Sequence, residues 1–316
     1  MWGMIATWRM AYDGIKQGAD VLKGEGVAGD AIEIAIKAVE NDPLYKSVGY
    51  GGLPNEEGLV ELDAAYMDGD TFDMGAVAGA AHLKNPIAVA RKLSEETFNT
   101  FLVGAGATKY AQQAGFEMKN MLTERASQWY RNRLREIHEK NLSPYDGHDT
   151  VGMVALDAQG KMVAATSTSG LFMKKTGRIG DSALSGSGFY VDSDSGGATA
   201  TGLGEDLMKG CVSYEIVRLM DEGKHPMQAC THAVKTFTKK LMRRKGRAGA
   251  CSVVAMNSAG EWGIATTVEF SFVVATSKEE AQIYLAYPTA DGNARIEVAS
   301  HEWLAAYEAS IKKPVE

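Results

Sequence analysis

Cysteine is scarce in this chain. Cys211, Cys230 and Cys251 are an odd number and widely spaced, a pattern that supports neither a disulfide framework nor a paired-cysteine metal site and reads as reduced, buried thiols. Proline occurs only 7 times in 316 residues, so no Pro-rich linker divides the sequence. No stretch approaches the ~18 apolar residues of a membrane helix; the longest mostly apolar run, Met74 to Leu83, is diluted by glycine and interrupted by His82. Positive charge is in the minority, 33 Lys plus Arg against 40 Asp plus Glu for a net charge of −7, which opposes nucleic-acid binding through phosphate neutralisation. Cofactor and metal signatures are missing as well. There is no HExxH and no GxxxxGK(S/T), and Gly104-Ala105-Gly106 lacks the third glycine of a dinucleotide loop. Asp192-Ser193-Asp194-Ser195-Gly196 opens like a calcium loop, yet Leu203 stands where the closing Glu belongs. The basic run Lys239 to Arg247 reads as the solvated end of a helix. No cofactor and no metal are expected.

What is present is an ordinary globular mix, 45% apolar and 23% charged, with 35 glycines that call for many tight turns. Asp30 and Glu33 read as a capping box for a helix stopped by Asn41-Asp42-Pro43. Leu59 to Met67 and Phe72 to Ala80 flank an acidic turn as a hairpin. Pro86 starts a helix to about Glu96. Thr123 to Lys140 has the pattern of a polar surface helix, and Asn141 to Gly147 reads as a loose loop. Val151 to Leu156, the turn Asp157 to Gly160 and Lys161 to Thr168 form a second hairpin; the pattern recurs at Cys251 to Thr267, with Phe270 to Ala275 as a further strand. Between these lie helices Gly204 to Met220 and Pro226 to about Lys240. The second half is therefore expected to carry its own antiparallel sheet. Helices and strands come in blocks without strict βαβ alternation, which makes the class α+β, with two sheets between helical layers. Residue 1 leads almost directly into Met4-Ile5-Ala6-Thr7-Trp8, with no room for a secretion signal. The chain as it stands reads as cytoplasmic, and as periplasmic or secreted if a leader was trimmed.

The junction His148-Asp149-Thr150 carries the chemistry. A loop-like segment ends and a buried strand begins there, so scission before Thr150 would leave a rigid amino terminus beside its own hydroxyl. Such a residue combines nucleophile and base: an α-amino group has a pKa of about 7.7–8.0, against ~10.4 for a lysine amine. Three features support it. The Asp157–Gly160 turn sets Thr150 opposite Ser167 or Thr168. Gly177-Arg178-Ile179-Gly180-Asp181-Ser182 places a fork-shaped cation and a carboxylate three residues apart, suited to the α-carboxylate and α-ammonium of an amino acid, although such a pair is commonly a surface salt bridge. Thr201 and Gly202 precede a helix, where a hydroxyl and an N–H can meet an oxyanion.

These motifs, His148-Asp149-Thr150-Val151-Gly152-Met153, Thr166-Ser167-Thr168-Ser169-Gly170, Gly177 to Ser182 and Ala198 to Glu205, resemble the series found in the glycosylasparaginase (aspartylglucosaminidase) family of N-terminal-nucleophile hydrolases. Thr7-Trp8, Ser47 to Pro54 and Lys84-Asn85-Pro86 are similar to that family's signatures too, so the likeness runs from about residue 4 to 275. The resemblance implies a four-layer αββα sandwich, a single domain made as a precursor that cuts itself into residues 1–149 and 150–316. It implies Thr150 as nucleophile and base, Thr168 hydrogen-bonding near its hydroxyl, Thr201 and Gly202 as oxyanion hole, and Asp149 acting in autoproteolysis. Trp8 would wall the pocket, and Arg178, Asp181 and Gly204 would bind the aspartyl end. The implied reaction is hydrolysis of the amide of glycosylated asparagine, in a homodimer of processed protomers. Two other readings stay open: an isoaspartyl peptidase or asparaginase with the same chemistry, and a non-cleaving amino-acid-binding or interaction protein. Ala183 replaces a usual proline, Gly196-Gly197 stand where Ala is common, and the tail after Tyr287 has no counterpart in that resemblance.

Overall fold

A computed structural model describes residues 1–140 and 149–315. The elements follow one another as β1 Gly3–Thr7, α1 Tyr12–Lys23, α2 Ala28–Asn41, β2 Glu61–Asp68, β3 Met74–Ala81, α3 Pro86–Ser94, β4 Phe101–Val103, α4 Gly104–Gln113 and α5 Glu124–Lys140. After the junction come β5 Val151–Leu156, β6 Met162–Thr168, β7 Phe189–Asp192, β8 Gly196–Gly202, α6 Gly204–Gly210, α7 Val212–Asp221, α8 Pro226–Lys245, β9 Cys251–Asn257, β10 Trp262–Thr266, β11 Phe270–Thr276, β12 Glu279–Pro288, β13 Ala294–Val298 and α9 His301–Lys312. None of the described helices is long and apolar enough to cross a membrane.

The protein is a mixed α+β structure with two sheets. One has nine strands in the order β13-β12-β11-β1-β5-β6-β2-β3-β4, and the other has four in the order β10-β9-β8-β7. The expectation that the second half carries a sheet of its own is thus half wrong. Only β7 to β10 stand apart, whereas β5, β6 and β11 join the first-half strands, with β1 inserted between β11 and β5. The reason lies in side-chain alternation. Met4 and Ala6 face one way, into a core shared with Ile15, Ile32 and Ile36 of α1 and α2. Ile5 faces the other way, with Val154 and Leu156, onto Val254, Met256 and Ile264 of the small sheet. Strands so apolar on both faces need a cover on each side. The far face of the small sheet, Ala198, Ala200 and Val253, packs against Leu207, Ile216 and Val234 of α6 to α8.

Gly152 shows how closely the sheets approach: a Cβ there would stand 2.7 Å from Thr199 Oγ1. The hairpin of β5 and β6 pairs Val151 with Ser167, a register that sets Thr150 opposite Thr168. Three local expectations are corrected. The second helix starts at Ala28 with Val27 as its cap residue and no side-chain cap, because Asp30 and Glu33 are drawn to Arg91 instead. The helix expected over Gly204 to Met220 breaks at Cys211, which adopts φ 44° where Gly210 packs against the Phe237 ring. Cys230 and Cys251 are buried, but Cys211 is exposed.

Candidate functional site

Strand ends build the site. Thr7 closes β1, where its hydroxyl donates to the Thr150 carbonyl at 2.6 Å and accepts the Gly152 N–H at 2.9 Å. This bridge holds the first residue ahead of β5 although the β1–β5 pairing stops at Ala6 and Met153. Thr150 is 8% exposed, and with its bond to Asp149 intact it is held at both functional atoms. Its nitrogen donates to Thr201 Oγ1 at 3.1 Å, and its Oγ1 lies 3.0 Å from Ser182 Oγ. Trp8 Nε1 donates to the same Thr201 Oγ1 at 3.1 Å. The Thr201 oxygen accepts two N–H groups, so its own hydrogen is left to donate elsewhere.

Trp8 occupies a backbone conformation, φ 66° and ψ 148°, that is close to glycine-only territory and costs about 1–3 kcal/mol. The surroundings hold it there: its N–H bonds the Ser271 carbonyl at 2.7 Å, its ring meets Phe270 edge-on at 5.0 Å, and its indole is tied to Thr201. Gly202 needs its own backbone freedom, with φ 143° and no room for a Cβ, which would stand 2.1 Å from the Ala250 carbonyl oxygen. Leu203 N–H donates to that carbonyl at 2.8 Å, so Gly202 and Cys251 face each other as a non-hydrogen-bonded pair and the Gly202 N–H points away from β9.

The structure places the other expected residues close by, with two changes of partner. Thr168 does not serve the Thr150 hydroxyl in the continuous chain. Its Oγ1 lies 3.3 Å from the Asp149 and Ser47 carbonyl oxygens and accepts the Gly170 N–H at 3.0 Å, and the hydroxyl partner of Thr150 is Ser182. Arg178 closes its fork on Glu205, with Nε and Nη2 donating at 2.8 and 2.7 Å, rather than pairing with Asp181. That bidentate bond holds the Glu205 carboxyl below its usual range. Asp181 is 3% exposed, its Oδ2 has no partner, and burial pushes its pKa up to about 7 against the pull of Arg178. Gly204 opens α6 against this carboxylate: a Cβ on it would stand 3.0 Å from Asp181 Oδ1.

Ser182, Glu205 and Thr7 stood in the quoted motifs without assigned roles. Lys174 and Glu61 gave no signal at all. Lys174 is buried to 1% exposure, its Nζ 3.4 Å from the Glu61 carbonyl and 4.0 Å from its carboxylate, which also accepts the Gly177 N–H at 2.9 Å. This buried pair ties the loop carrying Arg178 to β2. His148 and the loop Asn141 to Gly147 lie outside the described residues. Two neighbouring cavities meet at Asp149, of about 530 and 160 Å³, sharing Lys46, Ser47, Trp129 and Asn132. The smaller also reaches Gly170, beside Lys174 Nζ and Arg178 Nη1. Among the described residues no group of three or more His, Cys, Asp or Glu is placed to hold a metal ion.

The arrangement suits nucleophilic attack on an amide: a hydroxyl whose neighbour is the backbone nitrogen of its own residue, a spare O–H and N–H for an oxyanion, and a buried cation and carboxylate nearby. Comparison with known proteins agrees. The family model described as Asparaginase matches residues 6–285. An N(4)-(Beta-N-acetylglucosaminyl)-L-asparaginase of Elizabethkingia miricola is 40% identical over 262 residues, covering 82% of this chain and 77% of that protein. The protein of the same name from Rattus norvegicus is 35% identical, covering 80% and 82%. An isoaspartyl peptidase/L-asparaginase of Xenopus laevis is also 35% identical, covering 84% of each.

Proposed function

The chain belongs to the asparaginase family, and on that premise we propose that it is an amidohydrolase that cuts itself before Thr150 and then hydrolyses the N4 amide of glycosylated asparagine. The observation that carries this reading is the placement of Thr150, with its nitrogen on Thr201 Oγ1 and its Oγ1 on Ser182 Oγ at the buried start of β5. In the first step Thr150 Oγ attacks the Asp149 carbonyl, whose oxygen already faces the Thr168 hydroxyl. The N→O shifted ester is hydrolysed, and residues 1–149 and 150–316 remain together as one domain. The four-layer αββα arrangement is supported by three successive apolar cores, helix on sheet, sheet on sheet and sheet on helix.

In the mature enzyme the freed α-amine takes the proton of Thr150 Oγ as the oxygen adds to the substrate's side-chain carbonyl. The developing oxyanion is met by the Thr201 O–H and Gly202 N–H. The amine passes its proton to the leaving nitrogen, the C–N bond breaks, and the glycosylamine departs from a β-aspartyl ester. Water deprotonated by the same amine releases aspartate. Arg178 takes the substrate α-carboxylate and Asp181, ionised by the approaching cation, takes the α-ammonium, with Gly204 leaving room and Trp8 walling the pocket. Two processed protomers associate as a homodimer.

A second reading, hydrolysis of β-aspartyl dipeptides, is favoured by the Xenopus laevis relative, which is as similar as the rat one. One set of assays separates the readings. A denaturing gel of the purified protein shows two fragments, the second beginning Thr-Val-Gly-Met, and Thr150→Ala shows a single band near 33.9 kDa. Glycosylasparagine is hydrolysed with the higher kcat/KM. Preference for the dipeptide moves the protein to the second branch, and a wild-type chain that stays whole while active removes the mechanism.

A further inference from the structure

The family match ends at residue 285, and the chain beyond it does not stand apart from the site. After β13, Ser300 caps α9 by accepting the Trp303 N–H at 3.2 Å, and Trp303, Leu304 and Ile311 pack on the core under α1 and α2. Two arginines fasten the helix. Arg9, 8% exposed and next in sequence to Trp8, lies 3.5 Å from Glu308 and 5.4 Å over the Tyr307 ring, with Tyr45 Oη at 3.4 Å. Arg125 of α5 donates to the Lys313 carbonyl at 3.0 Å. Between these anchors Tyr307, Ser310 and Ile311 line the cavity of about 530 Å³ together with Trp129 of α5 and Asp149.

We propose that the tail from Ser300 onward builds the leaving-group subsite of this enzyme, and that the cavity between α9 and α5 takes the N-acetylhexosamine of the substrate. This rests on the reading under Proposed function and deepens it. Four directions leave the attacked carbonyl carbon. Thr150 Oγ takes one, Thr201 and Gly202 take another, and the aspartyl chain runs toward the smaller cavity at Gly170, beside Arg178 Nη1. We assign the remaining direction, for the departing nitrogen and its substituent, to the larger cavity, which Asp149 also lines. Its size falls in the range of small-ligand sites, roughly 300–1,000 Å³, ample for a pyranose bearing an acetamido group. Its lining suits one as well. Trp129 offers an aromatic face for C–H bonds, held by Lys46 Nζ at 5.3 Å from the ring centroid. Tyr307, whose ring is stacked on Trp303 at 5.4 Å with Arg9 over it, and Ser310 line it too, two residues that carry hydroxyls.

The test fills the cavity from the tail side with Ser310→Trp, and a second variant, Tyr307→Ala, cuts back the same wall; neither residue lines the smaller cavity. Each is assayed with L-asparagine, whose leaving group is ammonia, with glycosylasparagine and with a β-aspartyl dipeptide. The expected result is a rise of about tenfold or more in KM for glycosylasparagine, with kcat nearly kept and L-asparagine within about twofold of the wild type. Equal changes for all three substrates, or none, overturn the subsite, and a rise confined to the dipeptide overturns the sugar as occupant. N-Acetylglucosamine is titrated into the wild type and Ser310→Trp by calorimetry in parallel. If no β-aspartyl amide is hydrolysed by the wild type, the reading of the reaction fails and the titration alone decides: sugar bound by the wild type and lost in Ser310→Trp upholds the subsite, and no binding to the wild type overturns it.

Discussion

Thr201→Val is the most informative single change. It keeps the β-branched shape that suits the end of β8 and removes one oxygen with three tasks. Two are visible as bonds, from Trp8 Nε1 and Thr150 N, both at 3.1 Å. A partly or fully buried donor left without an acceptor costs about 1–3 kcal/mol, so the uncut chain should lose roughly 2–4 kcal/mol, with Trp8 at the lower end because its strained backbone can relax once the indole is released. The third belongs to the proposed mechanism, in which the spare O–H meets the oxyanion, and losing such a donor costs about 10²–10³ in kcat. Two measurements separate the terms. Thermal unfolding of the uncut variant reads the ground-state loss, and kcat/KM of whatever material has been cleaved reads the transition-state loss. Thr201→Ser, which keeps the oxygen, should restore both to within a few fold. If cleaved Thr201→Val works within about threefold of the wild type, the oxyanion argument is wrong, whatever happens to stability.

Three more experiments address the charges. The carboxyls of Asp181 and Glu40 are both fully buried and both pushed up to about 7 from ordinary values of 3.8 and 4.5. The folded chain therefore holds protons that the unfolded chain releases near pH 4, and their contribution to stability falls as pH rises from about 4 to about 7. Melting temperatures across that window should decline less steeply in Asp181→Asn and Glu40→Gln than in the wild type; identical slopes would contradict the burial argument. Binding of L-aspartate, the proposed product, to the processed wild type should strengthen as pH rises through about 7, because the α-ammonium needs Asp181 ionised, and calorimetry in buffers of different ionisation heat should show proton release at pH 6. Arg178→Ala removes the fork and strands the Glu205 carboxylate at the mouth of the clamp. The loss in kcat/KM should be at least about 10²-fold for substrates with a free α-carboxylate, the scale of a charge-assisted bidentate bond, and much smaller for an α-amide analogue. Equal losses on the two would remove the clamp.

How much of this was readable in the sequence depended on how local the interaction is. The β5–β6 hairpin was legible because two continuous apolar runs about an Asp-to-Gly turn specify it within 18 residues; the turn left Ser167 or Thr168 opposite Thr150, and the pairing of Val151 with Ser167 selects Thr168. The insertion of β1 between β5 and β11 was not, because residues 3–7 find partners near 154 and 274 and nothing in GMIAT itself says which. The same holds within the site. Arg178, Asp181 and Glu205 all stood in recognisable motifs, yet the choice of Glu205 as the fork's partner is made by α6 folding back over the Arg178 loop. What the structure adds is a reason for so many threonines. Thr7, Thr150, Thr168 and Thr201 each sit at or one residue from the end of β1, β5, β6 or β8. Inside a sheet the backbone groups pair with one another; at strand ends they do not, and a β-branched residue with a hydroxyl both continues the strand and supplies the missing partner. Thr7 does this across β1 and β5, and Thr168 does it for Asp149 and Gly170. The polar cluster that would carry out the reaction is therefore also what terminates four strands of two sheets, so its geometry is held by the cores on either side.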